Sequence, residues 1–358
     1  MKKRAELVEP SGLSEERFDP TISTVGSELD LEWDHMVSAS PYSGFMQSTA
    51  WLRFKRSEGY EVNQFGLFNM GKLGGGAALL SYPSSVSEGM LICADGPIVP
   101  WESTEHSRKA LKMIIGEATA LADRQGGLGL RIEPRISPPR PSVMRNWSRA
   151  PVDLNPAHSL VIDINQNEDE LKRQMHPKGR YNIGVAIRHG VQVRRSTAMQ
   201  DVKLFHQLFT DTAGRNGFFA EPYSFFLNLC AAHFPSGGAQ IFFSEFQGET
   251  LASALVIRFG KRATFLYGGS SVEHRRVMPV YLLHWRIIQE MQADGYTEYD
   301  LYGFDPFGTS DHPYAGFSRF KKQLGGARFD SLGAYDLIFY DRLADRIVEK
   351  LGSAEISG

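Results

Sequence analysis

Cysteine is almost absent from this chain: Cys93 and Cys230 are the only two among 358 residues. Two thiols cannot build a disulfide framework, and so sparse a set fits a reducing compartment. Neither stands at metal-ligand spacing from a second ligand type. Long apolar runs are missing too. No window approaches about 18 uninterrupted apolar residues, which excludes an ordinary membrane-spanning helix. Met1-Lys2-Lys3-Arg4 is basic, but no apolar stretch follows it. No secretory signal is therefore expected, and the expected location is cytoplasmic. An excess of one charge is also lacking. Lys and Arg number 39 against 41 Asp and Glu, a formal net charge of −2. Contact with a polyanion has to come from a local patch. The sequence holds no Walker loop, no His-Glu-x-x-His, no Cys-x-x-Cys and no Gly-x-Ser-x-Gly. His158, His233 and His312 are isolated. No metal and no cofactor is expected.

What is present is a globular composition, 42% hydrophobic and 22% charged, at a length that suits two domains. Two stretches share an order of elements. In the first, an apolar run (Phe65 to Phe68) leads through a turn at Gly71-Lys72 to a small-residue strand, Gly76 to Leu80. A strand ending at Ala94-Asp95-Gly96-Pro97 follows. Leu111, Ile114, Ile115, Ala118, Leu121 and Ala122 then form a helical stripe that stops at Gly126-Gly127, and a strand closes the unit at Ile132. The second stretch gives strands at 241–246, 251–259 and 264–268, turned at Gly248-Glu249 and Gly260-Lys261. A helix opens at Pro279, carries Val280, Leu283, Ile287, Ile288 and Met291, and stops at Gly295 before a strand at 298–302. The spacing far exceeds that of solenoid repeats. We read a duplicated α/β domain. The expected division is a disordered arm at 1–20, a first domain at 21–150, a second at 151–351 and a tail at 352–358. The proline-rich stretch 133–158 is the expected link.

Three segments carry candidate chemistry. Residues 168–195 gather Lys172, Arg173, His176, Lys178, Arg180, Arg188, His189, Arg194 and Arg195 behind Glu168, Asp169 and Glu170. Such a run is either a phosphate-binding face for a nucleotide or tRNA, or a solvated helix face. In the segment from Ala315 to Gly326, Phe317, Phe320 and Leu324 fall at helical spacing and would hold Lys321 or Lys322 in place. A positioned lysine can stabilise an oxyanion or hold a phosphate, although a surface lysine beside a core phenylalanine has the same spacing. Tyr267-Gly268-Gly269-Ser270-Ser271 ends a strand, where a tyrosine can aim into a cleft and small residues admit a ligand. Asp95, Asp300 and Asp305 also fall at strand ends, a place that turns favour for aspartate anyway.

Acyl-CoA N-acetyltransferases follow a strand with an Arg/Gln-x-x-Gly-x-Gly/Ala loop and a helix whose N-terminus binds pyrophosphate. The corresponding place here reads Arg275-Arg276-Val277-Met278-Pro279-Val280. Its glycines are absent, and Pro279 has no N–H to donate. The layout is acetyltransferase-like, but the CoA loop is not there.

The second half resembles the FemABX family. The likeness rests on Lys178-Gly-Arg180-Tyr181-Asn182-Ile183, Gly190-Val191 and Tyr267-Gly-Gly-Ser-Ser. It continues through Gly316 to Gly326 and Gly333-Ala334-Tyr335-Asp336. Phe45-Met46-Gln47-Ser48, Trp51 and Lys55 resemble the family's opening motif. The likeness spans roughly residues 30–345. It implies an α/β (α+β) fold of two tandem GNAT-like domains with mixed, mostly antiparallel sheets flanked by helices. The chain has no room for the coiled-coil insertion of some members. Asp95-Gly96-Pro97 stands where the family often has Arg-Gly-Pro. The resemblance implies transfer of an amino acid from aminoacyl-tRNA to an amine on the stem peptide of a UDP-linked or lipid-linked peptidoglycan precursor. Peripheral membrane contact would come through a lipid-linked substrate. It implies transfer-site roles for Phe320 and Lys321, and precursor contacts for Lys55, Arg215, Tyr267, Tyr223 and Trp51. Lys178, Arg180, Arg319 and Lys322 would meet tRNA or phosphate. Two alternatives stay open: an N-acyltransferase using acyl-CoA or an acyl carrier protein in envelope or exopolysaccharide synthesis, and a non-catalytic precursor-binding module.

Overall fold

The computed structural model describes residues 18–82, 89–308 and 315–339. Most of the expected arm, all of the expected tail and His312 lie outside the described residues. From β1 (Thr21–Thr24) the chain runs through α1 (Asp30–Ala39), α2 (Thr49–Ser57), β2 (Glu61–Asn69), β3 (Lys72–Ser81) and β4 (Met90–Ala94). It goes on through α3 (Thr104–Gln125), β5 (Gly129–Glu133), β6 (Ser148–Arg149), β7 (His158–Asp163), α4 (Glu168–Gln174), α5 (Pro177–His189) and β8 (Gln192–Ser196). Next come α6 (Asp201–Asn216), α7 (Tyr223–His233), β9 (Ala239–Phe246), β10 (Glu249–Phe259), β11 (Arg262–Ser270) and α8 (Pro279–Ala293). The last elements are β12 (Glu298–Gly303), α9 (Ala315–Leu324), β13 (Ala327–Asp330) and β14 (Tyr335–Ile338). No helix among the described residues is long and apolar enough to cross a membrane.

Contacts divide the chain into two compact units. The first takes the described residues up to Leu52, Gly59–Leu154 and the described residues from Gly333 onward; the second takes Arg53–Glu58 and Asn155–Leu332. The division is therefore not into two consecutive blocks, as the sequence suggests. The proline-rich stretch belongs mostly to the first unit, where Met144 and Trp147 are buried.

Each unit has one mixed sheet. The first is ordered β1-β2-β3-β4-β5-β14-β6 and the second β13-β7-β12-β11-β10-β9-β8. The duplication is visible in the pairing. In the first unit β1, β2, β3 and β4 pair antiparallel in turn, and β4 pairs β5 in parallel across the α3 crossover. In the second, β8, β9, β10 and β11 pair antiparallel, and β11 pairs β12 in parallel across α8. Two helices follow β1 and two follow β8, so both units read β-α-α-β-β-β-α-β. The strand beyond the parallel pair is antiparallel in both, but β7 fills that place in the second unit and β14 in the first. The Gly333-to-Asp336 motif is thus structural. Arg131 donates through Nε and Nη2 to the two carboxylate oxygens of Asp336, at 2.7 and 2.8 Å, which seats β14 beside β5. Such a bidentate pair fixes geometry as well as adding strength.

The basic run from 168 to 195 is not one helix. Asn167 caps α4 by accepting from Glu170 N at 2.9 Å, and Met175 breaks it with an extended backbone. Pro177 then opens α5 at the position proline tolerates, and Gly190, with φ 79°, ends it. Lys172 and Arg173 pair with Glu168 and Glu170. Arg194 and Arg195 lie on β8 and pair with Asp201 and Glu245, and with Glu290 and Asp294. Much of the apparent phosphate-binding charge is therefore already neutralised.

Candidate functional site

The second unit gathers most of the predicted residues. Its parallel pair is short: β11 and β12 pair from Arg262–Glu298 to Thr264–Asp300. Beyond that last rung β11 continues to Ser270 and β12 to Gly303. In the first unit, by contrast, β4 and β5 pair over the whole of β4. Lys321 bridges the split. Its Nζ donates to Gly303 O on β12 at 2.7 Å and lies 5.5 Å from the ring centre of Phe265 on β11. The side chain is buried, 6% exposed. Burial drives its pKa down from the ordinary lysine value to about 7, and the Asp300 carboxylate opposes that shift. The amine therefore exchanges its proton near neutrality. One of the three ammonium hydrogens is committed to Gly303, which leaves two to donate.

Helix α9 holds Lys321 there. Ser318 is buried and accepts from Asp305 N through Oγ at 2.6 Å. Phe320 is half-buried, its ring 5.4 Å from that of His284. Arg319 and Lys322 are exposed, with Lys322 over the Phe304 ring. α9 crosses α5 at Gly179, where an added Cβ would stand 2.1 Å from Gln323 O. Tyr281 on α8 ties the crossing by donating to Gln323 Oε1 at 2.8 Å.

A second group forms at the far end of β11. The β10–β11 register shifts between Leu255 and Val256, so Leu266 is the extra residue of a bulge. A regular strand would put Phe265 and Tyr267 on one face. With the bulge, Phe265 meets His284 of α8, while Tyr267 meets Phe209 of α6 and Phe226 of α7. Arg215 of α6 donates through Nη2 to Ser270 O at 2.8 Å and to Thr212 Oγ1 at 3.2 Å. Its guanidinium is exposed beside Arg275. Tyr223 opens α7 beside the His206 ring. Lys55, in the α2 segment that belongs to this unit, is half-buried near Glu58 and Glu221. Burial lowers its pKa against the pull of both carboxylates. Burial likewise raises that of Glu221.

Three predicted residues sit differently. Trp51 is buried in the first unit with its ring edge-on to Phe45, a packing position. Arg180 donates through Nη1 to the carbonyls of Lys172 and Met175 and so closes the end of α4. Lys178 is exposed on α5, and no carboxylate among the described residues pairs with it. Asp300 and Asp305 serve turns: each accepts through Oδ1 from the backbone N–H two residues on, at 2.8 Å. At the place of the acyl-CoA loop, Arg275–Val277 forms a 3-10 turn and Met278 is left-handed, with φ 55°. Pro279 is the first residue of α8. The helix N-terminus offers none of the close glycine backbone that cradles a pyrophosphate.

Comparison with known proteins follows the same division. Residues 26–139 match the model described as the FemAB family, and residues 178–321 match the acetyltransferase (GNAT) domain. Lipid II:glycine glycyltransferase of Staphylococcus aureus strain MRSA252 is 20% identical over 91% of this chain and 96% of its own. The same enzyme from strain N315 matches equally. Among solved structures, FemX superposes with a TM-score of 0.81 at 20% identity, covering 91% of this chain and 99% of FemX. A tandem GNAT protein of clavulanic acid biosynthesis reaches 0.55 at 10% identity, covering 89% of this chain and 98% of its own. These matches support the FemABX likeness along most of the chain. The tandem GNAT-like fold is as expected, and the longest helix of the second unit among the described residues has 16 residues.

Two buried polar residues beside this candidate site, His284 and Tyr299, were not singled out from the sequence. His284 Nδ1 lies 2.8 Å from the Tyr299 hydroxyl; both side chains are buried, and the His284 ring neighbours Phe320. The available signal was a histidine beside Leu283, Ile287 and Ile288 on the apolar stripe of α8, a place where a polar ring needs a partner.

Proposed function

We propose that this transferase forms an amide bond by moving an aminoacyl group from an aminoacyl-tRNA to an amine on the stem peptide of a peptidoglycan precursor. The observation that carries this reading is the end-to-end match with the staphylococcal glycyltransferases, 91% of this chain against 96% of theirs. Both halves of such an enzyme have a counterpart here. The name of those relatives favours a lipid-linked acceptor over a nucleotide-linked one.

In this reading the acceptor nitrogen attacks the ester carbonyl. A C–N bond forms, the C–O bond to the terminal ribose breaks, the nitrogen loses a proton and the ribose oxygen gains one. Lys321, as an ammonium, donates to the oxygen that gathers negative charge. Because its pKa is near 7, it can also return a proton to the leaving oxygen. Arg215 and Tyr267 at the β11 end, with Tyr223 and Lys55 of the same unit, would hold the precursor. Lys178, Arg319 and Lys322 are exposed cations suited to the tRNA backbone.

The GNAT match favours a second reading, an acyl thioester donor. Two features weigh against it. Met278 and Pro279 stand where the pyrophosphate loop would be. Lys321 occupies the split between β11 and β12. Calorimetry with CoA should show no binding.

The deciding experiment incubates the purified protein with a mixed pool of radiolabelled aminoacyl-tRNAs and either lipid-linked or UDP-linked pentapeptide precursor. Label on the lipid-linked peptide is expected. If neither precursor takes label from any aminoacyl-tRNA while CoA binds, the thioester reading replaces ours.

A further inference from the structure

We propose that the buried His284–Tyr299 pair positions Phe320 and Lys321 for transfer and sets how Lys321 holds its proton, a role that rests on the transfer reading above. His284 lies on the apolar stripe of α8 and is 1% exposed; Tyr299, on β12, is fully buried. A polar ring in such a place destabilises the fold unless it is hydrogen-bonded, and leucine would pack there without that demand. The Tyr299 hydroxyl, 2.8 Å from Nδ1, provides the bond and fixes the plane of the imidazole.

The fixed ring touches both aromatic walls of the transfer site. Phe265 stands edge-on to it at 4.6 Å and 82°. Phe320 lies 5.4 Å away at 38°. Phe265 in turn carries the Lys321 amine over its face. His284 is therefore the shared neighbour of the two rings beside the amine, at the level where β11 and β12 separate. Turning or removing it frees Phe320 and changes the surroundings of Lys321 together.

The charges facing Lys321 agree with this. Asp300, on β12, favours the ammonium. His284, on α8, is held neutral, its pKa pushed down to about 3 by burial first and by Lys321 second. Burial lifts the Tyr299 hydroxyl well above the usual phenol range, so it too stays neutral. The pair thus supplies a polar but uncharged surface behind the amine. It adds no second positive charge beside Lys321.

The test compares wild type with Tyr299→Phe, His284→Asn and the double variant His284→Phe/Tyr299→Phe. The double variant removes both polar partners at nearly constant shape and leaves no orphaned group, so it should fold with a thermal midpoint near wild type. His284→Asn retains an atom near the Nδ1 position but no ring. The first readout is the titration of the Lys321 Nζ resonance in [15N]lysine-labelled protein, assigned with Lys321→Met, which requires no substrate. Wild type should titrate near neutrality. The double variant should titrate lower by about half a unit or more, because two polar groups give way to hydrocarbon. The second readout is single-turnover transfer. It should fall about ten- to a hundredfold in the double variant, with the precursor KM unchanged, and His284→Asn should fall between the two. A double variant that keeps the wild-type titration midpoint and rate overturns the proposal and leaves the pair a packing feature. If wild type transfers nothing from any aminoacyl-tRNA, the functional reading fails, and the titration alone still decides whether the pair governs Lys321.

Discussion

At the scale of single residues, the role proposed for Lys321 rests on its burial. Its amine is held by one carbonyl, faced by one aromatic ring and surrounded by little water. In such a place a positive charge acts on a developing oxyanion far more strongly than it would in solvent. Lys321→Ala should therefore lower turnover by about 10²–10³ at saturating substrate. Lys321→Arg should not restore it, because a planar guanidinium is bulkier and does not release its proton near neutrality. Steady-state transfer at several pH values checks both, and wild-type turnover in Lys321→Ala would remove the residue from the mechanism. This lysine was legible in the sequence because Phe317, Phe320 and Leu324 mark the buried side of α9. The same spacing could not separate Lys321 from Lys322, and burial decides in favour of the first. Arg180, proposed from the resemblance to meet tRNA or phosphate, also has a local role. A guanidinium next to a helix end serves the nearest free carbonyls, and α4 ends within its reach.

At the scale of elements, two glycines of α5 make a controlled comparison. Gly179 lets α5 approach α9 so closely that a methyl group would collide with the Gln323 carbonyl. Gly184 is also helical, but an added Cβ there meets only the flexible end of Arg188, at 3.2 Å. Gly179→Ala should destabilise the second unit by about 1–3 kcal/mol and, because α9 carries Phe320 and Lys321, lower transfer as well. Gly184→Ala should be neutral or stabilising by up to about 1 kcal/mol, the usual helix preference for alanine. Denaturant melts of the two variants test the crossing; equal stabilities would mean that α5 and α9 are free to separate. β14 gives the complementary case in the first unit. Asp336→Asn removes the charge that Arg131 grips with two nitrogens, and should cost about 1.5–3 kcal/mol. The same comparison shows what sequence can and cannot carry. The β-β-β-α-β part of each unit was readable, since hairpin turns at Gly71, Gly248 and Gly260 and helix stops at Gly126 and Gly295 are local signals; the β-α-α that opens each unit was not read. The return of Tyr335–Ile338 to the first sheet was not. A four-residue strand suits either sheet equally, and only its partners, Arg131 and the β5 backbone, decide.

At the scale of the whole molecule, buried basic groups tie stability to pH in one direction. In the folded chain His284 titrates at about 3 and His233 at about 4, both lowered chiefly by burial. Unfolded, each returns to about 6.5. Between those values the unfolded chain binds more protons than the folded one, so stability falls as pH drops from about 6.5 toward 3. Lys321 acts in a higher window. It titrates at about 7 when folded and about 10.4 when unfolded, so its contribution rises with pH between the two. Asp201 and Asp330 have lowered pKa values where arginine grips them, and they add to the loss in acid. All of these groups lie in the second unit. Its thermal midpoint should therefore climb from pH 4 to about pH 9 rather than peak near the isoelectric point, and the transition of the first unit should move less. The variant His284→Phe/Tyr299→Phe separates the contributions. It should flatten the acid side by removing a group that must be protonated on unfolding, while the rise above pH 7 that comes from Lys321 persists. A midpoint that stays level from pH 7 to pH 4 in wild type would show that neither histidine is held neutral by the fold. The dry, uncharged surface behind Lys321 would then lose its physical basis.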